Sequence, residues 1–150
     1  MDTRKHIHEE TFAADAQTVF DLLVTPSAIR QWWGATHAIV DRKQDGIWVG
    51  VWGDEDEPDF ITFNRMRVYD PPSRVVFADF EYYARTGGLP FAGELTAEFT
   101  VIPEEPSRTK LRVVQDGFPC DPTADAFYAA CEVGWRETFG GIRRYLETGP

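Results

Sequence analysis

Apolar and polar residues alternate with a period of two over most of this chain, then switch to a period near 3.6 towards its end. The clearest alternation sets Leu95, Ala97, Phe99 and Val101 against Thr96, Glu98 and Thr100, and Leu111 and Val113 against Lys110 and Arg112 repeat it. A period of two sends successive side chains to opposite faces of a strand. One face of the sheet is then buried and the other wet, which favours an antiparallel arrangement. Strands are predicted at 4–12, 36–41, 46–53, 60–69, 74–81, 93–102 and 109–116. Turn residues bound them: Asp45-Gly46, Gly53 with the acidic stretch behind it, Asp70-Pro71-Pro72-Ser73, Thr86-Gly87-Gly88, and Pro103 to Ser107.

Two short helices interrupt this series after the first strand. Asp15 is a good N-cap for a helix carrying Val19, Phe20, Leu22 and Leu23, which must stop before Pro26 because the residue preceding proline is pushed out of the helical region. Thr25-Pro26 then starts a second helix that runs through Trp32-Trp33 and ends at Gly34. From Asp121-Pro122 onward, Phe127, Tyr128, Cys131, Gly134, Trp135, Thr138, Phe139, Ile142, Tyr145 and Leu146 fall within roughly 140° of arc at about 100° per residue. Asp125, Glu132, Arg136, Glu137, Arg143, Arg144 and Glu147 fill the rest of the circle. This predicts a helix of about 25 residues with one broad apolar face, long enough to cover the buried side of the sheet. The expected class is α+β, in one domain spanning 1–150.

Composition sharpens this picture at two points. The chain has five Trp and eleven Phe in 150 residues, so large apolar bodies are available for a core and for the walls of a cavity. Its net charge of −10 opposes binding to a phosphate backbone or an anionic membrane, so no nucleic-acid partner is expected. Arg143-Arg144 and the Arg65/Arg67 pair are the short basic clusters, read as solvating outer faces. No stretch approaches the length of a membrane span, Met1 to His6 lack an apolar leader core, and Cys120 and Cys131 do not form a disulfide framework. The cytoplasm is the expected compartment.

Candidate chemistry is sparse. His6 and His8 share one face of a strand with Glu10 beyond them, and His37 lies before another strand; no spacing completes a metal site, and a polar edge strand accounts for the pair, so no metal is expected. Asp54, Glu55, Asp56, Glu57 and Asp59 lack the glycine and spacing of a calcium loop and read as a solvated hairpin tip. Nucleophile elbows and phosphate-cradling glycine loops are absent, and Cys131 reads as a small buried apolar residue. No catalytic residue or cofactor is assigned.

The ordered set Phe12-Ala13-Ala14 with Val19-Phe20, Thr25-Pro26 through Trp32-Trp33-Gly34, Asp45-Gly46-Ile47-Trp48, Asp70-Pro71-Pro72-Ser73-Arg74-Val75-Val76-Phe77, Thr109-Lys110-Leu111, Asp116-Gly117-Phe118, Gly134-Trp135, Ile142 and Tyr145-Leu146 spans nearly the whole chain. It resembles the SRPBCC (START-like, Bet v 1-like) superfamily and, within it, the branch named activator of heat-shock-protein-90 ATPase homologue. The resemblance implies a helix-grip fold, a curved sheet of about seven strands gripping the terminal helix, with a cavity for apolar molecules between them. It does not fix a function, because this fold hosts binding proteins, enzymes and co-chaperone domains. His6, His8 and Glu10 depart from the pattern, since relatives commonly carry apolar residues at the first two of these positions; either the inner wall is more polar here or the strand's start peels away.

The reading favoured is a binding protein for a small apolar or amphipathic ligand. A hydrolase- or cyclase-type enzyme using the same pocket, and a chaperone-interacting stress-response domain, are the alternatives. The expected lining is Trp33, Trp48, Trp52, Met66, Phe77, Phe99, Phe127, Cys131 and Trp135, with Glu10, Asn64 and Gln115 as polar anchors. A homodimer and a chaperone partner are left open. Trp135 either borders an open pocket or plugs the core.

Overall fold

Every strand-like run is a strand in the computed structural model, which describes residues 2–148. Met1, Gly149 and Pro150, part of the expected 1–150 span, lie outside the described residues. The order is β1 (Thr3–Phe12), α1 (Ala16–Val24), α2 (Pro26–Trp32), β2 (His37–Val40), β3 (Ile47–Gly53), β4 (Pro58–Asp70), β5 (Arg74–Ala84), β6 (Thr96–Glu105), β7 (Arg108–Pro119) and α3 (Asp125–Thr148), with a 3₁₀ turn Pro122–Ala124 leading into α3. The strands form one antiparallel sheet in the order β1-β7-β6-β5-β4-β3-β2. The architecture is α+β. Among the described residues no helix is long and apolar enough to cross a membrane.

The sheet curves because β4 and β5 are out of step at two places, between Phe63 and Arg65 and between Met66 and Val68; an extra residue on one strand bends it and increases its twist. β6 starts at Thr96, later than the alternation predicts. Gly117, with φ 102°, brings β7 so close to the backbone of Glu94 that a side chain there would collide with its carbonyl. At its other end β6 continues through Pro103, which pairs with Thr109 beside a register shift, so the predicted Pro103–Ser107 turn shrinks to the tip of a longer hairpin.

The helices are tied on by hydrogen bonds that follow from the sequence. A continuing α1 would offer the carbonyl of Leu22 to the N–H of residue 26, and Pro26 has none. The indole N–H of Trp32 donates to that oxygen at 2.9 Å, and the indole of Trp48 on β3 donates to the carbonyl of Leu23 at 2.9 Å. At the end of α2, the indole of Trp52 donates to the carbonyl of Trp33 at 3.0 Å. Asp15 caps α1 by accepting from the N–H of Thr18 at 3.0 Å, as predicted. Buried Thr109 donates its hydroxyl to the carbonyl of Ala14 at 2.8 Å, fixing the corner between β1 and α1.

The terminal helix runs unbroken through Gly134, and its ten predicted inner residues are all buried or half-buried, whereas the seven predicted polar ones are exposed. The depth is uneven. Its fully buried residues, Phe139, Gly141 and Ile142, all lie in the C-terminal half. Gly141 permits that depth, since a Cβ there would run into the backbone oxygen of Trp32; at Gly134 a Cβ would meet nothing within 4 Å.

These two glycines are expected to respond oppositely to one added methyl group. Gly134→Ala should raise stability by up to about 1 kcal/mol through helix propensity. Gly141→Ala should lower it by about 1–3 kcal/mol through overpacking. Urea midpoints of the two variants check both signs.

Candidate functional site

Where α3 stands off the sheet, a groove of about 440 Å³ opens. Its floor is the inner face of the sheet at Trp52, Phe60, Thr62, Ala97 and Gln115. Its sides are Trp32 and Trp33 at the end of α2, and Gly134, Trp135, Glu137, Thr138 and Arg144 of α3. The rings interlock: Trp33 lies edge-on to Trp52 at 5.6 Å between centroids, Trp52 stacks on Phe60 at 5.0 Å, and Trp33 lies 6.5 Å from Trp135. Trp135 is half-buried, donates its indole N–H to Gln115 Oε1 at 2.6 Å, and packs edge-on against Phe99 at 5.7 Å. It borders the groove without filling it.

Three of the expected lining residues, Trp33, Trp52 and Trp135, and one expected polar anchor, Gln115, come together here. Trp48, Met66, Phe77 and Phe99 lie deeper, all in the buried core beneath the groove and outside its lining. Phe127 sits at the start of α3 in an aromatic cluster with Tyr82, Phe91 and Phe118. Cys131 lies between, half-buried; burial pushes its thiol up to about 11, partly offset by the Gln115 amide, so it is held as a neutral thiol. Asn64 is buried opposite Trp48 in the β3–β4 ladder.

Glu10 belongs to a different structure. β1 pairs with β7 over its whole length, so its start does not peel away. Its polar inner face lies under α3 instead. His6 stacks on Tyr128 at 3.8 Å and its Nε2 donates to the Tyr128 carbonyl at 2.7 Å; His8 meets Phe139 edge-on and donates to Glu10 at 2.9 Å. Glu10 also accepts from Arg143 at 2.6 Å, and the Arg143 guanidinium lies 5.0 Å from the centre of the Phe12 ring. Arg143 therefore clasps β1, and Arg144 lines the groove; neither simply solvates an outer face as the sequence reading had it. The hairpin tip is closed by Asp54, whose Oδ1 accepts from the N–H groups of Asp56 and Glu57 at 2.8 and 3.0 Å, while Arg85 pairs with Glu57 and Asp59.

Phe60, Thr62, Ala97, Thr138 and Arg144 are groove residues that the sequence reading did not assign to the site. Thr138 could have been found from its place on the apolar stripe. A separate depression of about 370 Å³ lies on the outside, between α1, α2 and the end of α3, lined by Thr18, Asp21, Leu22 and Tyr145 among others. Tyr145 is the one aromatic ring in that lining, which also carries Thr18, Asp21, Thr25 and Ser27, whereas the groove is walled by four tryptophans and Phe60.

A curved antiparallel sheet gripping a long terminal helix defines an SRPBCC-type protein. The model of the family described as activator of Hsp90 ATPase homolog 1-like protein matches residues 13–147, and the chain belongs to that family. No curated protein matches it. Solved structures share the fold at low identity. An uncharacterised protein from Rhizobium leguminosarum is 20% identical, with TM-score 0.77, over 99% of this chain and 97% of that one. An HSP90 activator from Plasmodium falciparum is 14% identical, with TM-score 0.73, over 95% and 96%. CalU16 from Micromonospora echinospora is 14% identical, with TM-score 0.67, over 96% and 76%.

The clasp under α3 makes stability depend on pH. Burial pushes the Glu10 carboxyl up, but hydrogen bonds and charge from His8 and Arg143 outweigh it and hold Glu10 below its ordinary 4.5. A carboxylate lowered on folding contributes stability above its unfolded pKa and loses it as pH falls through the folded value. Glu10→Gln is therefore expected to flatten the decline of the urea midpoint between about pH 5 and pH 3. A profile parallel to the wild type's would deny the clasp that role.

Proposed function

We propose that the protein binds a small apolar or amphipathic molecule in the groove between α3 and the sheet. One observation carries the reading: Gly134, in mid-helix and on the inner stripe, faces open space inside an aromatic-walled groove. A glycine there costs about 1 kcal/mol of helix stability relative to Ala and gains nothing in packing, so the space itself is what it preserves. The volume of about 440 Å³ falls within the range of small-molecule sites, and its mostly apolar lining with a few convergent polar groups fits the same class. Membership of a family whose fold surrounds such a space supports the reading.

The outer face of the sheet favours one alternative, a domain that docks on a chaperone. Ile39, Val49 and Phe63 form one cross-strand row and Val51, Ile61 and Tyr83 the next, opposite in facing to buried Trp48. Ile39 is 58% and Tyr83 55% exposed. Contiguous apolar surface of this kind is a feature of interaction sites. Stimulation of a purified Hsp90 ATPase, lost in Tyr83→Glu and retained in Gly134→Leu, would favour this function over ligand binding.

The groove reading is tested by titration with the neutral dye N-phenyl-1-naphthylamine, following quenching of tryptophan fluorescence. Wild-type protein is expected to bind it, and Gly134→Leu to weaken binding by at least about tenfold, or 1.4 kcal/mol. The urea midpoint of the variant should stay at or above that of the wild type, because leucine fills the space and favours helix. Wild-type protein that binds no dye and carries no small molecule in native mass spectrometry would refute the proposal.

A further inference from the structure

We infer that the groove selects aromatic molecules bearing an anionic group, with Arg144 as the residue that receives the anion. The inference rests on the reading of the groove as a ligand site and goes on to name the ligand's chemistry. Arg143 and Arg144 are neighbours with divided roles. Arg143 is taken up by Glu10, whereas among the described residues no carboxylate lies within 4.0 Å of Arg144, in a chain with 25 acidic residues against 15 basic ones. Arg144 lines the groove, and its Nη1 sits 3.5 Å from where a Cβ of Gly140 would be. The guanidinium thus lies back along the helix over Gly140, at ordinary van der Waals distance from where that Cβ would be.

Of the groove's other polar groups, Gln115 adds a donor, and the Thr62 and Thr138 hydroxyls can donate or accept. The indole N–H groups of Trp32 and Trp52 are committed to backbone carbonyls, and that of Trp135 to the Gln115 carbonyl oxygen. What remains of Gln115 is its amide NH2, a donor that also faces the Cys131 thiol. Donors of this kind, with a guanidinium able to grip two oxygens at once, match carboxylate or sulfonate geometry. Glu137 is the one carboxylate in the lining. It lies seven residues before Arg144 on the same side of the helix, and among the described residues it forms no ion pair with Arg144 within 4.0 Å, so it does not neutralise the guanidinium. The aromatic body of the ligand would then lie against Trp33, Trp52 and Trp135 with its charged end towards the C-terminus of α3.

Two dyes with the same aromatic body separate charge from shape: neutral N-phenyl-1-naphthylamine and anionic 8-anilinonaphthalene-1-sulfonate. Wild-type protein is expected to prefer the sulfonate. Arg144→Gln should weaken the sulfonate by about tenfold or more, as loss of a charge-assisted hydrogen bond does, while changing the neutral dye less than about twofold. Arg144→Lys should recover part of the loss, and Arg136→Gln, on the exposed face of the same helix, should change neither dye. Equal weakening of both dyes by Arg144→Gln would make Arg144 a packing element and overturn the inference, as would a wild-type preference for the neutral dye. Binding of neither dye by the wild type would instead refute the groove itself.

Discussion

The structure depends on what happens to the carbonyl oxygens stranded at the ends of two short helices. Pro26 ends α1 and withholds the N–H that would have satisfied Leu22, and an orphaned carbonyl in a buried place costs about as much as a lost hydrogen bond. Indole N–H groups from α2 and from β3 satisfy the end of α1, and a third indole on β3 satisfies the end of α2. Each bond also fixes a large flat ring. Trp32 and Trp52, walls of the groove, are therefore held by the same contacts that fasten the helices to the sheet. The groove's rigidity is a by-product of helix termination.

One glycine sets how the long helix meets this scaffold. Gly141 lets the C-terminal half of α3 approach the end of α2 closely, and Phe139 and Ile142 are buried as a result. Towards its start the helix is at most half-buried, and a strip of polar side chains from β1 lies beneath its length. His6 stacks on Tyr128 near the start of the helix, whereas His8 and Glu10 meet its C-terminal half, at Phe139 and Arg143.

How far the residues themselves disclosed this depends on how local each cause is. Strand faces follow from a period of two and the helix stripe from 3.6, and both depend only on near neighbours; the inner residues of α3 were accordingly legible one by one. Phe99 and Phe77 were placed on the right face, but parity cannot tell depth, and they lie in the core beneath the groove. Arg144 was unreadable for a related reason. It falls on the polar arc, yet a long side chain over Gly140 can reach round the helix to the groove, which no count along the sequence reveals. Phe60 and Ala97 become neighbours of Trp33 only through sheet curvature, itself set by bulges in β4 and β5 that alternation does not announce.

The pairing of the first strand with the seventh also bears on how the chain reaches this state. Thr3 finds its partner in Pro119 and Phe12 in Thr109, so β1 must stay uncommitted while almost everything between is made and folded. β3, β4 and β5, joined by short turns, can pair locally at small loop-closure cost, whereas docking β1 closes a loop of about a hundred residues. In a folding transition state built on that meander, β1 would be among the last parts to gain native contacts. Its exposed edge and the clasp that holds α3 over it would then govern how fast the molecule opens more than how fast it forms.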